Sequence, residues 1–182
     1  NTSFVEGSVE SIDTDNKELT LADRKVISYD DVVFAIGSVT SYFSIPGLDA
    51  FSYGVKSNEE LSRLKQHVHS NILHPEKASK EYVIVGAGPT GVELAAVMGA
   101  HVRRISKRHH TPAAHISVHL VEAGSRILPQ MPERAARYAT KQLAKNGVRI
   151  HLNTQVKAET IHTLRTSLGT ISTDNVIWTA GT

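Results

Sequence analysis

The chain has 182 residues, of which 40% are hydrophobic and 21% charged, proportions ordinary for a globular domain. A net charge of +2 and 5% aromatics leave no basis for a nucleic-acid partner, and no apolar run approaches the roughly 20 residues that span a bilayer. The absence of cysteine excludes disulfides, thiolate metal sites and thiol redox chemistry within the chain, and it suits a reducing compartment.

The start, Asn1-Thr2-Ser3-Phe4, has no initiator Met and no signal-peptide pattern, which is expected of a piece excised from a longer protein. Residues 4–12 read as extended, and Asp13-Thr14-Asp15-Asn16-Lys17 is a turn cluster. Leu19-Thr20-Leu21 and Val26-Ile27-Ser28-Tyr29 then complete a short antiparallel meander. Val32-Val33-Phe34-Ala35-Ile36 runs apolar without alternation and stops at Gly37, the pattern of a strand buried on both faces. Pro46-Gly47 marks a linker. Ser57 with Glu60 forms a capping-box pattern, followed by Leu61, Leu64, Val68 and Ile72 at helical spacing up to His74-Pro75.

From Glu81 onward strands and helices alternate. Strands are expected at 82–85, 116–121, 148–152 and 176–180, helices at 90–105 and 132–145, and a β-excursion at 156–171. Pro132 near the start of the second helix and Gly147 just past its end agree with positional preference. The fold class is therefore α/β: a Rossmann-like parallel sheet with helices on both faces and a β-excursion, preceded by a short antiparallel β segment. The boundary is placed at the linker, with a dinucleotide-binding domain over 51–182.

The chemistry concentrates in Gly86-Ala87-Gly88-Pro89-Thr90-Gly91, set between a strand and an Ala/Leu-rich helix. Gly86 makes the tight turn, Gly88 lets the backbone approach a pyrophosphate, and Gly91 lets helix and strand pack closely. The helix N-terminus offers free N–H groups and a partial positive charge to phosphate. Pro89 is tolerated there because a first-turn N–H has no helical partner. Glu122 ends the next strand, 31 residues after Gly91. A carboxylate at that position binds the adenosine ribose hydroxyls and repels a 2′-phosphate, so NAD(H) is expected over NADP(H). Arg126 either pairs with a 2′-phosphate or covers the adenine face or the pyrophosphate.

Ten histidines raise the question of metal binding. His109, His110, His115 and His119, or His67 and His69, lack the Cys partners or HExxH spacing of a zinc site, and no metal is expected. Residues 103–110 read as a solvated basic loop. Tyr82 and Trp178 are expected to pack in the core. No acid–base or nucleophilic constellation emerges, so no catalytic residue is assigned.

Over residues 29–38, 45–47, 85–95, 121–129 and 176–181, in that order, the chain resembles the two-dinucleotide-binding flavoproteins of the pyridine nucleotide-disulfide oxidoreductase superfamily. The likeness is nearest to the type II NADH dehydrogenases through Gly88-Pro89-Thr90-Gly91-Val92-Glu93, the long segment before Ile116, and the lack of cysteine. The resemblance implies that residues 1–50 are a partial FAD-binding domain segment, with Ala35-Ile36-Gly37 where the family has Ala-Thr-Gly. It implies FAD in the full-length protein, hydride transfer from NADH to flavin, and a quinone as the acceptor. Glu93 would then sit near the nicotinamide and the flavin ring, against a reading as a helix residue satisfied by the dipole. Ala180 and Gly181 would form a strand-end turn over the cofactor. The fragment alone would bind nucleotide and turn over nothing. The whole protein would be cytoplasmic, or peripheral on the cytoplasmic face of the membrane. Two other readings of the same residues remain: a disulfide reductase of the superfamily, or a non-catalytic dinucleotide-binding module.

Overall fold

A computed structural model of the chain describes residues 2–73, 81–109 and 116–181. It divides into two compact units, Asn1–Gly37 and Ser38–Thr182. The first holds an antiparallel sheet of β1 (Val9–Asp13), β2 (Glu18–Leu21) and β3 (Val26–Ser28). Its first turn is closed by the Asp13 carboxylate, which accepts the N–H groups of Asp15 at 3.0 Å and Asn16 at 2.9 Å, with Lys17 at φ 55°. Leu21 is the buried hydrophobic residue of this unit.

The strand expected at 32–36 does not form. Val33 is 88% exposed and Ile36 89%, and no described strand pairs with them. A continuous apolar run becomes a two-faced buried strand only where neighbours supply a ladder on each side. The sequence carries the run, but its neighbours are a tertiary matter.

The second unit contains α1 (Leu48–Phe51), α2 (Asn58–Leu73), β4 (Glu81–Val85), α3 (Pro89–His109), β5 (Ser117–Val121), α4 (Glu133–Lys145) and β6 (Val148–His151). An antiparallel sheet of β7 (Val156–Thr160), β8 (Thr163–Thr166) and β9 (Gly169–Ser172) follows, and β10 (Asn175–Trp178) closes the chain. The central sheet is parallel in the order β10-β4-β5-β6. All four strands therefore end at the same edge, where ligands of such sheets bind.

The two faces of the sheet are covered differently. On one, Ile84, Val118, Leu120, Val148 and Ile177 pack beneath Leu64 of α2, Ala95 of α3 and Leu143 of α4. On the other, Val83, Val85, Val121, Val176 and Trp178 meet Leu48 of α1 and Val156 and Leu164 of the antiparallel sheet. Helices thus lie on both faces, but the long ones share one face.

Local chemistry sets the helix ends. The Glu60 N–H donates to Ser57 Oγ at 3.1 Å and the Ser57 N–H to Glu60 Oε2 at 3.1 Å, completing the capping box. Pro132 precedes α4, and Gly147 at φ 79° follows its C-cap residue Asn146. The helix expected to end near Ile105 continues to His109. His74-Pro75, His110 and His115 lie outside the described residues.

Candidate nucleotide site

The glycine loop leaves β4 at the edge where the parallel strands end. The Gly86 N–H donates to Val121 O at 2.8 Å, carrying the β4–β5 ladder into the turn. Gly86 has φ 101°, and a Cβ there would lie 2.8 Å from Ala180 N. A Cβ on Gly91 would lie 1.9 Å from Gly86 O. Both positions are therefore held to glycine by the protein's own packing. Gly88 differs, since its Cβ would meet nothing within 4 Å. Open space therefore lies beside the α3 N-terminus, whose free N–H groups and partial positive charge favour an anion. The first intrahelical bond of α3 runs from the Val92 N–H to Gly88 O at 3.0 Å, so the preceding N–H groups lie ahead of the helical ladder.

Glu122 closes the loop from the β5 side. Its Oε2 accepts the Ala87 N–H at 2.8 Å and its Oε1 the Gly124 N–H at 2.7 Å. Each oxygen has a further lone pair for a donor such as a ribose hydroxyl. Backbone holds Glu122 in turn: its N–H donates to His151 O at 2.8 Å, and its carbonyl accepts the Thr154 N–H at 2.9 Å. Arg126 donates to Met131 O at 3.0 Å and to Pro129 O, so its guanidinium clasps the loop it stands on.

The other expected site residues sit as follows. Pro89 and Thr90 open α3 and are exposed, and Glu93 is exposed further along that helix. Ala180 lies against Gly86. Gly181, at φ 77°, has its carbonyl held by Lys56 Nζ at 2.6 Å. Gly86, Ala87, Gly88, Gly91, Glu122 and Ala180 thus meet at one edge of the sheet, whereas Arg126 is bonded to its own loop and Glu93 stands exposed on α3.

A cavity of about 410 Å³ opens beside the loop, lined by Gly86, Glu122 and Ala180 and walled by Phe43, Ile45, Thr154, Gln155, Val156 and Trp178. Sites for small ligands and cofactors fall in this size range. Sequence reasoning missed five of these wall residues. Ile45 belonged to a motif read as a linker, and Thr154 and Gln155 follow a strand end, the one signal that could have found them. Trp178 is buried as expected, with Nε1 donating to Ser41 O at 2.8 Å, yet it also faces the cavity.

Several polar groups around the site are satisfied within the chain. Burial pushes the Glu60 carboxyl up, but hydrogen bonds from the Lys56 N–H, the Thr40 hydroxyl and the Ser57 N–H outweigh it and hold it below its ordinary value. On the sheet face, His119 bonds Glu81 at 2.5 Å and His151 at 2.8 Å. Burial, then the neighbouring His119 and Arg149, push the His151 imidazole down. His67 bonds Asn175 at 2.6 Å. Among the described residues no group of three or more His, Cys, Asp or Glu is placed to hold a metal ion.

The family described as pyridine nucleotide-disulphide oxidoreductase matches residues 1–182. The NADH dehydrogenase-like protein YutJ of Bacillus subtilis is 30% identical over 96% of this chain and 45% of its own length. The demethylphylloquinone reductase NdbB of Synechocystis is 31% identical over 98% of this chain and 44% of its own. The chain therefore spans under half the length of these relatives. In fold it is similar to NDH2 from Plasmodium falciparum, solved in complex with NADH, with TM-score 0.68 and 22% identity over 97% of this chain and 40% of that one.

Proposed function

Since the chain belongs to the pyridine nucleotide-disulphide oxidoreductase family, we propose that residues 51–182 bind NAD(H) in an FAD-dependent oxidoreductase that passes hydride from NADH to flavin and on to a quinone. The observation that carries the nucleotide assignment is the glycine loop: packing demands Gly86 and Gly91, while Gly88 faces open space next to the α3 N-terminus. Gly86, Ala87, Gly88, Pro89, Thr90 and Gly91 hold the pyrophosphate, and Glu122 takes the adenosine ribose. Ala180 and Gly181 form the turn over the cofactor, Glu93 stands toward the nicotinamide, and Arg126 borders the adenosine end. Hydride transfer is the chemistry that nicotinamide and flavin supply, and this chain orients the donor.

Names among the relatives support the choice of NADH and quinone: one is called a demethylphylloquinone reductase, and the Haemophilus influenzae relative a type II NADH:quinone oxidoreductase. In this reading residues 1–50 belong to the flavin domain. The full protein works in the cytoplasm or on the cytoplasmic face of a membrane, and no described helix is long and apolar enough to cross one.

Side-by-side titrations with NADH and NADPH, followed by nicotinamide fluorescence, test the assignment. Saturable NADH binding with weaker NADPH binding is expected. Gly88→Val should abolish NADH binding while circular dichroism stays unchanged, and retained affinity would refute the loop assignment. Glu122→Arg should weaken NADH and strengthen NADPH. Glu122→Gln is the control, because it keeps an acceptor for the Ala87 N–H while removing the charge.

A further inference from the structure

Two walls of the cavity meet along one seam. Phe43 and Ile45 come from the segment 42–51, and Gln155 and Val156 from the entry to β7. The Glu159 N–H donates to Pro46 O at 2.9 Å. A Cβ on Gly47 would lie 1.9 Å from Glu159 O, so the two backbones touch. Leu48, Val156 and Leu164 pack beside them in one apolar cluster. The Glu159 side chain is 5% exposed, and its Oε2 is buried without a hydrogen-bond partner among the described residues.

We propose that Glu159 is a pH-operated latch on the cavity: protonated, it lets the segment 42–51 close on β7, and ionised, it parts the two walls and weakens nucleotide binding. A carboxylic acid can remain in an apolar seam, whereas an unpaired carboxylate there loses its hydration with no compensating cation. Burial alone pushes Glu159 up to about 8.

Among the described residues, no charged group bonds to the Glu159 Oε2. Asp49 of α1 is exposed, as are Lys157 of β7 and Arg165 of β8. The nearby phenol is that of Tyr53, which burial pushes up, with Arg63 opposing and Glu159 and Asp174 adding to the rise. Both carboxylates near Tyr53 thus work against a second negative charge. Opening the seam is the remaining way to hydrate Glu159. Phe43 and Ser44 stand in the left-handed region, at φ 50° and 55°, a strained stretch in the wall that would move.

The latch rests on the seam, whereas its effect on nucleotide rests on the NAD(H) reading, and one experiment separates them. Trp178 is the only tryptophan of the chain, lines this cavity, and stands 6.2 Å from the Tyr42 ring and 6.3 Å from the Phe43 ring. Its emission is followed against pH without nucleotide, and NADH is titrated at about pH 7 and about pH 9. The expected result is an emission transition near pH 8 that Glu159→Gln and Glu159→Met both remove. NADH affinity should fall about tenfold between the two pH values in the parent chain and stay level in the variants, as the closed fraction falls. A flat emission profile, or a transition that persists in both variants, overturns the latch. So does NADH affinity that ignores pH while the emission responds. An emission transition abolished by the variants, with no NADH binding at any pH, would support the latch and refute the nucleotide reading.

Discussion

At the scale of single residues, the three glycines of the loop separate fold from ligand. Gly91→Ala would bring a Cβ into Gly86 O, so it should lower the melting temperature markedly, as overpacking and backbone strain do. Gly88→Ala should leave the melting temperature nearly unchanged, because its Cβ meets open space. Equal losses in the two variants would refute this division. Glu159 gives the pH counterpart. Its folded pKa, about 8, lies above its ordinary value of 4.5, so its contribution is complete below about pH 4.5 and lost as pH rises through 8. Glu159→Gln should therefore match the parent near pH 4 and exceed it in stability at pH 8, by an amount on the order of a few kcal/mol. Denaturant melts at the two pH values check the sign.

At the scale of elements, the start of α2 depends on a reciprocal cap and the charge that completes it. Ser57→Ala should cost about 1 kcal/mol in denaturant unfolding, since it strips the acceptor from the Glu60 N–H. Glu60 has a depressed folded pKa, so its stabilisation is present above its ordinary value of 4.5 and lost as pH falls through the lower folded value. The penalty of Glu60→Gln should accordingly be larger at pH 7 than at about pH 3. A uniform penalty would mean that the neutral amide replaces every bond the carboxylate makes. The capping box was visible in the sequence because its residues are three apart. The second role of Glu60 was not: Thr40 reaches Oε1 at 2.8 Å from 20 residues away.

At the scale of the molecule, the two units differ in how much they bury. The parallel sheet is sealed on both faces by apolar clusters, while β1 and β3 are mostly exposed and Leu21 is the buried hydrophobic of its unit. Amide hydrogen exchange should be slowest in β4, β5 and β10 and fastest in β1–β3, since local opening is easiest where little apolar surface is lost. Similar protection in both sheets would contradict that ordering.

What the sequence determined by itself is local: the periodicities of β4, β5, β6 and β10, the start of α2, the ends of α4, and the strand–Gly loop–helix unit with a carboxylate at the next strand end. These follow from residues close in the chain, whose spacing is set by backbone geometry. Tertiary structure alone decided that 32–36 forms no strand, that the long helices share one face, and that Phe43, Gln155 and Trp178 wall one cavity. It also decided that Glu159 is buried with its Oε2 unpartnered among the described residues, although its sequence position looks like that of any polar residue in a hairpin. Burial and close approach depend on which distant segments meet, and a pattern of neighbours along one strand carries no record of the backbone packed against it.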